Sequence, residues 1–175
     1  MRKLILINEM KRKQILCISL LSIILTVIVS LPISAQTVKP IKLKEFELLL
    51  NRQGDTIYVY NFFATWCKPC VKELPHFVKL ANDSSRTNIK LTFINLDQVE
   101  NLTDIVVPFV AKKKINQDIF LLNNQNYEMW MPRVDRRWGG SIPATLVVNG
   151  KSNKRNFVEG EISYKELITL INSVR

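Results

Sequence analysis

Apolar and polar positions along the chain follow two rhythms, and they predict alternating strands and helices. Ile57 to Phe63 is a short run of β-branched and aromatic residues, broken only by Asn61, and reads as a buried strand. After a small-residue turn, Val71, Leu74 and Val78, with Phe77 and Ala81, recur at helical spacing. Pro75 falls inside that helix and is expected to kink it. Upstream, Val38 to Leu43 reads as extended with Pro40 breaking it. Lys44 to Leu50 then predicts a helix burying Phe46, Leu49 and Leu50, stopped by Asn51-Arg52-Gln53-Gly54.

Downstream of a polar loop, Asn82 to Asn88, Ile89 to Leu96 predicts a second buried strand. Asp97 is placed to cap a helix with apolar positions Ile105, Val106, Phe109 and Val110. Pro108 interrupts that helix, and Lys112-Lys113-Lys114 closes it where cations suit the helix dipole. Ile119 to Leu122 predicts a short strand. Asn126 to Arg137, with Trp138 just beyond, carries Met129, Trp130, Met131 and three arginines. It reads either as a short helix packing aromatics on the sheet or as a partner-binding surface. Leu146 to Val148 and Phe157-Val158 predict a hairpin turned at Asn149-Gly150, with Lys151 to Lys154 lengthening its loop. Ser163 and Glu166 form a capping box for a last helix that buries Leu167, Leu170 and Ile171. This order of elements predicts an α/β architecture.

The first positions follow neither rhythm. Ile15 to Ile33 is almost wholly apolar and contains Cys17. Arg2, Lys3, Lys11, Arg12 and Lys13 precede it, and Ile33-Ser34-Ala35 ends it before Gln36. A charged start, an apolar middle and a small-residue end predict a secretory signal over 1–35, leaving one domain over 36–175. An uncleaved membrane anchor is the alternative. Met10, followed by three basic residues, is an alternative start, and Cys17 lacks the small residues that a lipid-anchored cysteine requires.

The 175 residues hold 25 basic and 15 acidic side chains. Five basic residues and one acidic residue fall in the first 35 positions, which leaves 20 basic and 14 acidic, a net +6, over 36–175. That balance bears on solubility rather than fold. There is no arginine-rich arm or nucleic-acid motif, so no nucleic-acid partner is expected.

Candidate chemistry sits at Cys67 and Cys70. The pattern puts Cys67 after a strand and at the start of a helix, where partial positive charge and free N–H groups stabilise a thiolate. The spacing brings Cys70 one helical turn away, close enough to attack a mixed disulfide on Cys67. A zinc site would need two more ligands, and only Cys17 and His76 are on offer, so no metal is expected. A purely structural disulfide would close a very small loop and stabilise little. A redox dithiol is the reading that remains. His76 is taken as an edge residue.

Ala64-Thr65-Trp66-Cys67-Lys68-Pro69-Cys70, followed by Glu73-Leu74-Pro75, resembles the active-site segment of the thioredoxin superfamily. It is most similar to the extracytoplasmic TlpA/ResA-like branch, and the resemblance covers the chain from about Lys44 onward. Phe63 stands where that branch usually has Trp. Asn61 stands where cytoplasmic thioredoxins carry a buried proton-accepting aspartate. The resemblance implies a thioredoxin-like fold, a mixed central sheet with helices on both faces. It implies a cis-proline at Pro143, with Ile142 presenting its backbone to an extended substrate. It further implies that Trp66 shields the site and that Glu73 handles protons near Cys70. The expected cofactor is none beyond the Cys67–Cys70 redox disulfide.

The branch implies an exported, monomeric enzyme acting on protein thiols and disulfides, with a membrane or periplasmic electron donor. It favours a reductase, and includes reductases of apocytochrome thiols during haem attachment. Lys68 should make the disulfide more oxidising and Glu73 less so. An oxidase or isomerase of exported proteins, and a non-catalytic binding module, are the alternatives. A peroxidase relying on a Thr-x-x-Cys site is not indicated, since that site is absent.

Overall fold

The computed structural model describes residues 37–124 and 126–175, together with Arg12 and Leu16. The chain divides between Ala35 and Gln36, and the fold described here lies in the second unit. Apart from Leu16, the apolar stretch Ile15 to Ile33 lies outside the described residues. Among the described residues no helix is long and apolar enough to cross a membrane.

Six strands form one mixed sheet: β1 (Val38–Ile41), β2 (Ile57–Phe63), β3 (Ile89–Asn95), β4 (Asp118–Leu122), β5 (Ala144–Asn149) and β6 (Arg155–Glu159). Their order across the sheet is β1-β4-β3-β2-β5-β6. The pairs from β1 to β2 are parallel, whereas β5 runs antiparallel to β2 and β6 antiparallel to β5. Among the described residues of this unit the α-helices are α1 (Leu43–Leu50), α2 (Lys68–Ala81), α3 (Val107–Lys112), α4 (Tyr127–Val134) and α5 (Tyr164–Asn172).

The period-two alternation of β2 sorts the core into two faces. Val59 and Phe63 point to the side where Leu74 and Phe77 of α2, Val110 of α3 and Leu167 of α5 pack. Tyr60 and Phe62 point to the side where Phe46 of α1 and Trp130 of α4 pack. Helices therefore cover both faces, as the active-site segment implies. β2 lies between β3 and β5, so its C-terminal end opens at the middle of the sheet edge.

Several local expectations need correction. Pro40 does not break β1: the strand pairs with β4 from Val38 to Ile41. It is an edge strand with one unpaired side, the place where a proline lacking an N–H is tolerated. Pro75 lies inside α2, as expected, and the helix continues to Ala81. Asp97 caps no helix, because its carboxylate is bound to Thr65. Pro108 does interrupt the helical run from Val99 to Lys112, and regular α-helix, α3, begins only at Val107. Without an N–H on the proline the preceding turn, Leu102–Val106, widens, and the Val107 N–H bonds the Leu102 carbonyl five residues back. Ile105 is exposed rather than buried. In the ambiguous aromatic stretch, α4 packs Trp130 fully into the core against Phe46 and Phe62, while Tyr127 and Met129 remain exposed.

Candidate functional site

At the C-terminal end of β2 the chain turns through Ala64, Thr65 and Trp66 and enters α2 with Cys67 as its N-cap. Pro69 occupies the first turn, where its fixed φ suits a helix start. Cys67 and Cys70 are joined as a disulfide, with Cα atoms 5.3 Å apart. The Cys70 N–H donates to Cys67 Sγ at 3.2 Å. Cys67 is 5% exposed and Cys70 0%, so an incoming group meets Cys67 first. Trp66, 68% exposed, projects beside it.

The turn is tied down from β3. Asp97, just past that strand, accepts from the Thr65 N–H at 2.8 Å and from Thr65 Oγ1 at 2.6 Å. Asn95 Nδ2 donates to the same carboxylate at 2.6 Å. Asp97 is buried, so Asp97→Ala would strand three donors. The expected result is a loss of about 1–3 kcal/mol in urea unfolding of the oxidised protein, because unpaired buried donors keep their full desolvation cost. An unchanged midpoint would show that water replaces the carboxylate at no cost.

The second wall is the segment before β5. The Ile142–Pro143 peptide is cis, and the Ile142 carbonyl oxygen lies 3.6 Å from Cys67 Sγ. A disulfide sulfur has no proton to give, so this is a contact between the two walls. Glu159 on β6 holds the approach loop, accepting from the Gly139 N–H at 3.0 Å and the Ser141 N–H at 2.7 Å. These bonds, the Gly139 one foremost, keep the Glu159 carboxyl below the usual range. Trp138 Nε1 donates to the Ser141 carbonyl at 2.9 Å, so Ser141 is held at both ends. Gly140 sits between them at φ +99°, a conformation that favours glycine. Trp66, Tyr127, Trp130, Met131 and Ile142 help line an apolar groove of about 310 Å³ alongside.

Glu73 lies one helical turn beyond Cys70 and is fully buried. Its Oε1 accepts from Asn61 Nδ2 at 2.7 Å and its Oε2 from the Ile162 N–H at 3.0 Å. Burial pushes its carboxyl up to about 7. The two donated hydrogen bonds pull it down, and the Glu161 carboxylate pushes it up slightly. Lys72 pairs with that Glu161 at 2.7 Å. His76, half-buried on α2, joins none of these contacts. Among the described residues no group of three or more His, Cys, Asp or Glu is placed to hold a metal.

The structure thus gathers Trp66, Cys67, Cys70, Ile142 and Pro143 at one end of the sheet, with Glu73 beneath. Sequence reasoning missed Asp97 and Glu159 as supports of the two walls. The arrangement presents one sulfur to the outside, a second sulfur behind it, a buried carboxyl with proton affinity near neutrality, and the Ile142 carbonyl beside the outer sulfur.

A family model described as the AhpC/TSA family matches residues 29–153. The sporulation thiol-disulfide oxidoreductase A of Bacillus subtilis (strain 168) is 32% identical over 63 residues, 36% of this chain and 38% of that protein. The thiol-disulfide oxidoreductase ResA of Bacillus thuringiensis subsp. konkukian (strain 97-27) is 32% identical over 75 residues, 43% of this chain and 37% of that protein. The matched stretch therefore spans less than two fifths of either relative. The crystal structure of a thioredoxin-related protein from Neisseria meningitidis serogroup B superposes with a TM-score of 0.59 at 24% identity. It covers 69% of this chain and 86% of that one. The fold is thioredoxin-like.

Proposed function

The chain belongs to the AhpC/TSA family, and from that premise we propose that it is a thiol–disulfide oxidoreductase of the ResA type, acting as a reductase of protein disulfides. The observation that carries this reading is the position of Cys67: an N-cap sulfur, the outer member of a disulfide, 3.6 Å from the Ile142 carbonyl. In the reduced protein the Cys67 thiolate attacks a substrate disulfide, and one substrate sulfur leaves as a thiolate. Cys70 then attacks the Cys67 sulfur, re-forms the Cys67–Cys70 bond and releases the second substrate thiol. Two electrons pass from the protein to the substrate, and no cofactor beyond the cysteine pair takes part. The substrate backbone pairs with the Ile142 edge, Pro143 shapes that edge, and Trp66 covers the sulfurs. Glu73 accepts the Cys70 proton.

The substrates are thiols and disulfides of exported proteins, apocytochrome thiols among the candidates, and a membrane or periplasmic donor re-reduces the pair. Export rests on the apolar stretch before Gln36 and its small-residue end. A mass for the cell-envelope protein that begins at Gln36 checks it, and an intact apolar segment would make that segment an anchor.

The test of direction is the equilibrium reduction potential of the Cys67–Cys70 pair against glutathione. A value near that of thioredoxin, about −270 mV, supports a reductase. A value near about −120 mV would turn the assignment to an oxidase. Lys68, exposed in the first turn, pulls toward the oxidase, and Glu73 toward the reductase.

A further inference from the structure

The buried side chain beneath the disulfide that the exchange reaction leaves without a role is Asn61. It is fully buried on β2, on the same face as Val59 and Phe63 and so toward α2. Its Nδ2 donates to Glu73 Oε1 at 2.7 Å and to Thr145 Oγ1 at 3.3 Å. Its Oδ1 is buried and has no hydrogen-bond partner. An unpaired buried acceptor is costly, and its retention calls for an explanation.

The two oxygens of Glu73 are not equivalent. Oε2 faces the Ile162 main-chain N–H, which is a fixed donor and cannot reverse. A proton arriving on Glu73 therefore goes to Oε1. There it would confront the Nδ2–H of Asn61, donor against donor. A half-turn of the terminal amide torsion, which is soft and nearly two-fold, exchanges Nδ2 for Oδ1 at the same place. Thr145 adapts as well, because a hydroxyl that accepts from Nδ2 can rotate and donate to Oδ1.

We propose that Asn61 follows the proton on Glu73: it donates through Nδ2 to the carboxylate and, after a half-turn of its amide, accepts through Oδ1 from the carboxylic acid. The oxygen that lacks a partner in one state is the partner in the other, and Nδ2 then takes the unpaired place. This rests on the reading of Glu73 as proton acceptor for Cys70. In that step the Cys70 thiol passes its proton to Glu73 Oε1. The Cys70 thiolate attacks Cys67 of the mixed disulfide, the Cys67–Cys70 bond forms, and the Cys67–substrate bond breaks. The leaving substrate thiolate takes a proton from solvent. An aspartate at position 61 would set a second carboxylate against Glu73, and a leucine could follow neither state, so the amide is the side chain that serves both. Asn61 is a positioning residue, acting through Glu73. The other charged group acting on Glu73 is Glu161, from the loop before α5, which pairs with the exposed Lys72.

The test is a pH titration of the full-length protein labelled with ¹⁵N and ¹³C, following the Asn61 side-chain amide and the Glu73 carboxyl by NMR. The Asn61 amide signals are expected to shift with the same midpoint as the Glu73 carboxyl. In Glu73→Gln, whose Nε2 donates at every pH, they are expected to stay at the position that the parent shows at low pH. Asn61 signals that hold still while Glu73 titrates overturn the proposal, and so do signals fixed at the high-pH position in Glu73→Gln. The parent titration needs no variant to fold and no substrate. Failure of the exchange reading, seen as an unchanged resolving rate in Glu73→Gln, is therefore scored separately.

Discussion

Cys70→Ser is expected to accumulate mixed disulfides between Cys67 and partner proteins, and Cys67→Ser to accumulate none. The asymmetry comes from where the helix begins. Cys67 caps α2, so its sulfur faces the free N–H groups of the first turn, the Cys70 N–H at 3.2 Å among them. Those dipoles favour its thiolate, and the thiolate is the attacking species. Cys70 is inside the helix and fully buried, so a protein disulfide cannot reach it. Its role is confined to attack on a bond already made at Cys67. With serine at position 70 that second attack is lost, and the mixed disulfide persists until an outside thiol cleaves it. Turnover should fall to background in both variants, which separates the pair from the supporting residues. Non-reducing gels with mass spectrometry of the trapped species read the outcome. Equal trapping by the two variants would refute the order of attack.

How much of this was legible beforehand depended on the range of the interaction. Features set within a few residues read well. Ser163 and Glu166 form the expected capping box, and Phe46, Leu49 and Leu50 are the buried face of α1. The strand–turn–helix around Cys67 follows from the apolar run and the helical spacing beyond it. The resemblance supplied the cis peptide before β5, which no local pattern reveals.

Supports that reach across the fold did not read. Asp97 before a helical stretch looks like an N-cap, yet its carboxylate serves Thr65, 32 positions earlier in the chain. Glu159 ends β6, and only the pairing of β6 with β5 brings it over the Gly139–Ser141 loop. The insertion of β4 between β1 and β3 was likewise invisible, because parallel pairing leaves no mark on local spacing. Asn61 was read as the absence of an aspartate. The hydrogen bond to Glu73 makes it a partner instead, and the period-two alternation of β2 puts it on the α2 face.

Glu73→Gln is expected to slow the resolving step by about 10²-fold, the lower end of what a positioned proton acceptor contributes, and to remove its inflection near neutrality. The parent rate should rise as pH passes about 7, where burial sets the Glu73 carboxyl, because only the carboxylate can take the Cys70 proton. Stability should change in the opposite sense. In the unfolded chain the carboxyl titrates near 4.5, and in the folded protein near 7. Between those values the folded state binds more protons, so the parent loses stability as pH rises through the window. Above it, the buried charge costs about 3 kcal/mol relative to an unshifted carboxyl. Glutamine keeps the Ile162 N–H bond through its own oxygen and offers Nε2–H to Asn61 Oδ1, so the fold should hold and the slope should vanish. Removing the negative charge one turn from Cys70 should also lower the apparent thiol pKa values, which belong to the coupled group rather than to one sulfur. Stopped-flow exchange and urea unfolding, each run from about pH 5 to pH 9, span both titrations. A resolving rate and thiol titration that match the parent at every pH would mean that the proton leaves Cys70 for water, and that Glu73 serves only to anchor the Ile162 loop to α2.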